Sequence, residues 1–271
     1  MALTLRLLPQ ALREPLGLAY LLARVSDTIA DSGGLTREER IEWLERLAAG
    51  ETASEWEATR HEAFTRSEVE LLRALPGLLS TLGDHPDRRE ITGLWREILE
   101  GQRFDLQRFT PGSEPLDPAE LERYCDLVAG SVGRSWTRLI ARHAPGTLRA
   151  PVAELLPPAS QYGKGLQLLN ILRDRETDRA LGRHYVAEEV VPEHLEQARE
   201  WLAAGDRYLR AVAPGRILMA SSLPLALARA TLPLVASATR GERAKLPRHH
   251  VRMMLATSVR SLVLPHRADP V

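Results

Sequence analysis

The stretch Gln167-Leu168-Leu169-Asn170-Ile171-Leu172-Arg173-Asp174-Arg175-Glu176-Thr177-Asp178 decides the fold class. Residues 167, 170, 174 and 178 fall at offsets 0, 3, 7 and 11, which is one face of an α-helix and no pattern for a strand. Leu166, Leu168, Leu169, Ile171 and Leu172 surround that polar face with apolar surface. A second segment repeats the arrangement near the start of the chain. Tyr20, Arg24, Asp27 and Asp31 stand at offsets 0, 4, 7 and 11 among Leu16, Leu18, Leu21, Leu22, Ala23, Val25 and Ile29. Two apolar helices therefore carry carboxylates at the same spacing.

Outward from these segments the punctuation stays helical. Nearly every stretch between prolines places apolar residues three and four apart, and no alternating pattern competes. The spacing predicts helices over 10–31, 36–49, 65–82, 87–106, 117–143, 159–181, 192–211, 216–240 and 247–262. Asp117-Pro118 followed by Glu120 reads as a helix start, with an N-cap, a proline at the first helical position and an early acid. Thr110 to Pro118, with three prolines and a glycine, reads as a loop. The expected architecture is all-α, one domain over residues 1–271, a length that can bury one substantial core.

Composition excludes several roles. The 36 basic and 36 acidic residues cancel, and no dense Lys/Arg block offers a footprint for nucleic acid. Cys125 is the only cysteine, so an intrachain disulfide and a multi-cysteine metal site are both excluded, and a reducing cytoplasm is the expected location. Arg6, Arg13 and Glu14 interrupt the N-terminal stretch and remove the pattern of a signal peptide. The most membrane-like uncharged run, Ile217 to Ala228, has 12 residues, short of the roughly 20 that span a bilayer.

Carboxylates on a largely buried helix cost several kcal/mol unless they are paired or bound to a cation. If the two polar faces oppose each other, they bring together four carboxylates and an amide, with Arg24 and Arg173 nearby. Oxygen donors of this kind select Mg²⁺, which takes one or two carboxylates and completes its shell with water and phosphate oxygens. The implied ligand is a diphosphate. The competing reading is that each DxxxD is a solvated face or an ion-pair partner, as Asp178 could be for Arg175 and Arg179. Two copies with matching polar companions favour chemistry.

A third element, Tyr124-Cys125-Asp126-Leu127-Val128-Ala129-Gly130-Ser131-Val132-Gly133, sets two glycines inside a helix, where each costs about 1 kcal/mol relative to alanine. They serve a bend that makes room for a long substrate, a close helix crossing, or both, since the two roles are compatible. Cys125 reads as a small buried apolar residue. His249 and His250, beside Lys245 and Arg248, are a poor signal for phosphate contact.

These three segments resemble the squalene/phytoene synthase family. Ala23 to Asp31 resembles its first aspartate-rich motif, Tyr124 to Gly133 its central motif, and Gln167 to Asp178, continuing to Gly182-Arg183-His184-Tyr185, its second aspartate-rich motif. The resemblance implies an isoprenoid synthase fold around a central apolar cavity. It assigns Asp27, Asp31, Asn170, Asp174 and Asp178 to Mg²⁺, and Tyr20, Arg24, Gln167 and Arg173 to the diphosphates. Tyr124 would face the reacting carbons, acting with Asp27 and Asp174 in catalysis, and Gly130 and Gly133 would lie on the cavity floor. The implied reaction joins two farnesyl diphosphates head to head through a cyclopropyl diphosphate, ending in squalene if NADPH supplies a hydride. Phytoene or dehydrosqualene synthesis and a non-catalytic family role are the alternatives. Asp27-Thr28 and the Leu223 to Arg248 stretch lean toward squalene synthases, and peripheral membrane contact is expected for product release. Three features depart from the pattern. Met1 is followed at once by Ala2-Leu3-Thr4-Leu5 where a Ser/Lys/Arg-rich diphosphate-binding segment is expected to precede, Arg175 replaces an apolar residue, and Ala187 replaces a proline.

Overall fold

Apolar residues at helical spacing drive nearly every described segment into an α-helix. The computed structural model describes residues 2–51 and 63–237, and no strand forms among them. In chain order the helices are α1 (Ala2–Leu7), α2 (Gln10–Ala30), α3 (Arg37–Ala49), α4 (Arg66–Asp84), α5 (Arg88–Arg108) and α6 (Pro118–Cys125). A π-helical turn, Asp126–Gly130, leads directly into α7 (Ser131–His143), followed by α8 (Val152–Ala180), α9 (Val191–Arg210) and α10 (Arg216–Ser237). The helix expected over 247–262, like Lys245, Arg248, His249 and His250, lies outside the described residues.

Several helix starts follow the chemistry of their caps. Asp117 accepts from the Glu120 backbone N–H at 2.8 Å while the Glu120 carboxylate accepts from the Asp117 N–H, closing a capping box at α6. Thr36 and Glu39 do the same for α3. The expected start of α8 at residue 159 needs correction, because that helix begins at Val152 and runs through Pro157 and Pro158. Proline removes a donor and normally ends a helix. Here Leu155 and Ala159, 5% and 2% exposed, are held in the core on either side of the prolines, so packing outweighs the local preference.

Three apolar clusters organise the molecule. One joins α2 through α5 around Leu22, Val25, Ile29, Leu75, Ile91 and Leu99. Another joins α6 and α8 to α9 and α10 around Cys125, Leu168, Leu172, Trp201 and Leu225. The last seals the opposite end around Leu12, Ile140, Tyr208 and Ile217. α2 packs mainly on α5, and α8 on α9, α7 and the π-turn, so the two aspartate-bearing helices share no extensive contact. They flank the junction of the first two clusters.

α10 corrects the estimate made from Ile217 to Ala228. The helix is 22 residues and is long and apolar enough to cross a membrane by length and composition, although half of its most apolar window is buried in the fold. Its Arg229 is paired with Asp206 of α9.

Candidate active site

On α2, Asp27 accepts from Gln102 Nε2 of α5 at 2.6 Å and stands 3.4 Å from the Arg24 guanidinium. Burial raises the Asp27 pKa above its ordinary value, while Arg24 and the Gln102 hydrogen bond pull against that rise. Asp31 is not within α2 but is its C-cap, at the negative end of the helix dipole, where an anion is unfavourable. Arg183 answers that charge, with its Nη2 donating to Asp31 Oδ1 at 2.8 Å.

Arg183 reaches this position because α8 ends in a tight turn. Gly182 adopts φ 79°, a region that favours glycine, and the Arg183 backbone N–H returns to the Asp178 carbonyl at 2.8 Å. The same guanidinium lies 3.1 Å from Asp105 of α5, with Nε facing Oδ2. Tyr185 Oη donates to the other Asp105 oxygen at 2.5 Å, and Tyr124 Oη lies 3.2 Å from Tyr185 Oη. Residues from α2, α5, α6 and the loop after α8 thus meet around one arginine.

Electrostatics tie α8 to the same centre. Asp178 is pushed up to about 6, first by burial, then by the like charges of Asp174, Asp105 and Asp31, against the pull of Arg183. Asp174 is bonded to Arg173 at 2.5 Å. Among the described residues no group of three His, Cys, Asp or Glu side chains could by itself hold a metal ion. The tight four-carboxylate cluster anticipated from spacing is therefore opened out, with Arg183 as the cation among its members. Tyr20, Gln167 and Asn170 occupy the same helix faces, half-buried or exposed, and make no side-chain hydrogen bond among the described residues.

The squalene/phytoene synthase profile matches residues 1–196, well over half of the 271-residue chain. The chain belongs to the squalene/phytoene synthase family. The presqualene diphosphate synthase of Rhodopseudomonas palustris is 30% identical over 195 residues, covering 69% of this chain and 57% of that protein. The bifunctional lycopene cyclase/phytoene synthase of Phycomyces blakesleeanus is 29% identical over 247 residues, covering 86% of this chain and 39% of that one. The chain thus spans roughly half the length of these relatives or less. The structure of TcSQS with the ligand E5700 superposes with a TM-score of 0.78 at 20% identity, over 95% of this chain and 81% of that one, and shows the isoprenoid synthase fold. The family's chemistry is head-to-head condensation of prenyl diphosphates.

Two expectations are corrected, one at the family's central motif and one at its second aspartate-rich motif. Gly130 and Gly133 do not floor a cavity. A Cβ on Gly133 would sit 2.1 Å from the Ala159 carbonyl oxygen, and one on Gly130 would sit 2.2 Å from Asp126 Oδ1 and 2.7 Å from Ser160 Oγ. The glycines let the π-turn and α7 cross α8 backbone to backbone, the second of the two roles open to them. Asp178 is not the partner of Arg175 and Arg179, which pair instead with Glu188 at 3.5 and 3.0 Å. That pairing also accommodates the departure at Arg175. Cys125 is fully buried and its thiol is pushed well above the usual range by desolvation, as befits an inert packing residue.

Spacing alone missed Gln102 and Asp105, and gave Arg183 and Tyr185 no role. The signal was present on α5. Ile91, Leu94, Trp95 and Ile98 form a buried helical stripe that continues into Gln102 and Asp105, two polar groups that are only 9% and 7% exposed. Polar residues on a core-facing stripe need partners, and these find Asp27, Arg183 and Tyr185.

Proposed function

We propose that this chain condenses two farnesyl diphosphates head to head to presqualene diphosphate, with release of one diphosphate and one proton. The observation that carries the reading is the meeting of Asp31, Asp105, Arg183, Tyr185 and Tyr124, contributed by three helices and the loop after α8, beside the Asp174–Asp178 face. The 30% identity to a presqualene diphosphate synthase supports the choice of product.

The donor set fits Mg²⁺ one helix at a time, since that ion needs only one or two carboxylates and takes its remaining oxygens from phosphate and water. Asp27 and Asp31 would hold it at the end of α2, and Asn170, Asp174 and Asp178 along α8. When bound, the cation stabilises charge on the departing diphosphate. Arg24 and Arg173, 47% and 34% exposed and paired with Asp27 and Asp174, would turn from those carboxylates toward diphosphate oxygens as the metal binds, and Tyr20 and Gln167 extend the same faces. Tyr124 is placed by stacking on Tyr185, with ring centroids 5.1 Å apart, and by Phe104 at 6.1 Å. Aromatic walls exclude the water that would quench an allylic cation. Turnover is proposed to take place in the cytoplasm.

A second reading, a carotenoid-type synthase making phytoene or dehydrosqualene, is favoured by the phytoene synthase relative that matches 86% of this chain. The segment that the sequence resemblance ties to NADPH runs to Arg248 and so extends outside the described residues. Incubation with Mg²⁺ and either farnesyl or geranylgeranyl diphosphate, with and without NADPH, followed by mass spectrometry, tests these courses. Presqualene diphosphate from farnesyl diphosphate without NADPH is the expected result. Squalene appearing only with NADPH would extend the reaction by a reduction, and phytoene from geranylgeranyl diphosphate would replace it with the second reading. The absence of any condensed product would overturn both.

A further inference from the structure

The hydroxyls of Tyr124 and Tyr185 and the Asp105 carboxylate form a chain whose direction is fixed. Tyr185 has one proton and donates it to Asp105 Oδ1 at 2.5 Å, so the 3.2 Å contact between the phenols requires Tyr124 to donate to Tyr185. Every hydrogen bond therefore points from Tyr124, the residue proposed to face the reacting carbons, toward a carboxylate that is 7% exposed. Packing fixes the geometry. Tyr185 is stacked on Tyr124 with 28° between ring planes and is held edge-on by Phe109 at 4.9 Å, while Arg183 Nε lies 3.1 Å from Asp105 Oδ2.

We propose that Tyr124, Tyr185 and Asp105 are a proton relay that carries away the proton lost on cyclopropane closure. This rests on the head-to-head reading above and adds the destination of the proton. One allylic C–O bond breaks and its electron pair leaves with diphosphate. The π pair of the second substrate forms the new C–C bond and leaves a tertiary cation. A C–H bond on C1 of the first substrate, two bonds from the cation, then gives its electron pair to the third ring bond, between C1 and the cationic carbon, and its proton goes to Tyr124 Oη. In the same step the Tyr124 hydroxyl proton passes to Tyr185 and the Tyr185 proton passes to Asp105. The balance is one C–H proton lost and one carboxylic acid gained, with no change of oxidation state beyond the substrates' own rearranged bonds.

Each member has the protonation state that the relay requires. Burial and the nearby Asp105 charge raise the Tyr124 pKa well above that of a free phenol, and burial with Tyr124 and Asp105 does the same to Tyr185, so both start as neutral donors. Asp105 is pushed up to about 6 by burial and, to a lesser extent, by Asp31, against the pull of Arg183 and the Tyr185 hydrogen bond. Asp178 and Tyr124 are the other titratable groups facing it. At neutral pH it is ionised and is a stronger base than an ordinary aspartate.

The test separates ionisation from ring closure by measuring diphosphate release and presqualene diphosphate formation in the same Mg²⁺-containing reaction. Tyr185→Phe removes the relay and leaves the Asp105–Arg183 pair in place, while Asp105→Asn removes the acceptor. Presqualene diphosphate formation is expected to fall on the order of 10²-fold in each variant, the usual worth of positioned acid–base groups. Diphosphate release should continue, with the cation diverted to prenyl alcohol. The double variant should be no slower than either single one, because a broken relay cannot be broken twice. Thermal melting reports whether Asp105→Asn folds, and Tyr185→Phe decides the matter if it does not. Ring closure at the wild-type rate in Tyr185→Phe overturns the relay, as does a proportional loss of diphosphate release and ring closure. Failure of the wild type itself to condense farnesyl diphosphate would instead remove the functional reading on which the relay rests.

Discussion

α2 and α8 carry carboxylates at the same spacing but are held in the fold by different means. α2 is anchored by side-chain volume, with Leu18, Leu22, Val25 and Ile29 filling a cluster with Leu75, Ile91 and Leu99. α8 adds to its buried Leu168 and Leu172 two close backbone approaches that only glycine permits. A Cβ on Gly163 would lie 2.2 Å from the Ala129 carbonyl oxygen, and one on Gly165 would lie 2.9 Å from the Leu202 backbone nitrogen. The carboxylates differ in parallel. Asp27 and Asp31 are hydrogen-bonded by Gln102 and Arg183, whereas Asp178 depends on charge at longer range and is pushed up to about 6. The comparison teaches that the shared pattern belongs to the chemistry, since packing has solved the two positions independently.

The largest effect should come from removing the feature that the helices share. Asp27→Asn and Asp174→Asn are each expected to reduce condensation on the order of 10³-fold at saturating Mg²⁺, the scale of losing one electrostatic stabiliser of a leaving group. Their melting temperatures in metal-free buffer should diverge. Asp27→Asn should hold or gain stability, because burial already raises the pKa of that carboxylate, whereas Asp174→Asn forfeits the 2.5 Å Arg173 pair. Equal activity losses with opposite stability changes would support the comparison. A variant with normal turnover would remove that aspartate from the site.

A next test addresses the difference in anchoring. Gly133→Leu forces a side chain into the Ala159 carbonyl and should destabilise the chain by about 3 kcal/mol or more, beyond ordinary overpacking because the obstacle is backbone. Leu22→Ala, at a fully buried position of α2, should cost about 2–5 kcal/mol through the cavity it leaves. Urea unfolding measures both. A stable, folded Gly133→Leu that simply rejects long substrates would return that glycine to the cavity wall.

The sequence made the helices legible wherever one face is apolar, and it located both aspartate pairs because offsets of 3, 4, 7 and 11 need no knowledge of what lies opposite. It could not show what stands between them. Asp105 is 74 positions from Asp31, and Arg183 is 152, so their meeting depends on how α2 packs against α5 and how Gly182 turns the chain back. The role of Gly130 and Gly133 was open for the same reason, since a glycine records that space is needed and not what fills it. The extension of α8 through Pro157 and Pro158 was hidden because local propensity argues for a stop and only burial of Leu155 and Ala159 overrules it.

The smallest effect concerns Asp178, and it tests whether this carboxylate at the end of α8 lacks the compensation that Asp31 enjoys at the end of α2. Its carboxyl is raised from 3.8 to about 6 in the folded chain, so between those values the folded state holds a proton that the unfolded state has lost. Folding is therefore favoured as pH falls through 6 toward 4, and the ionised carboxylate is a liability above 6. A shift of two units corresponds to about 3 kcal/mol, but the group is partly open to water, and screening brings the expected contribution to about 1 kcal/mol. Asp178→Asn should accordingly raise stability by about that amount at pH 8 in metal-free buffer, and the gain should shrink as pH falls through 6 and vanish below about pH 3, where the wild-type side chain is neutral in both states. Urea titrations of the two proteins across this range measure the difference directly. A gain that is independent of pH would mean that the asparagine acts through a new hydrogen bond. A loss at pH 8 would mean that Arg183 already compensates Asp178 as fully as it does Asp31, and the contrast between the two helix ends would disappear.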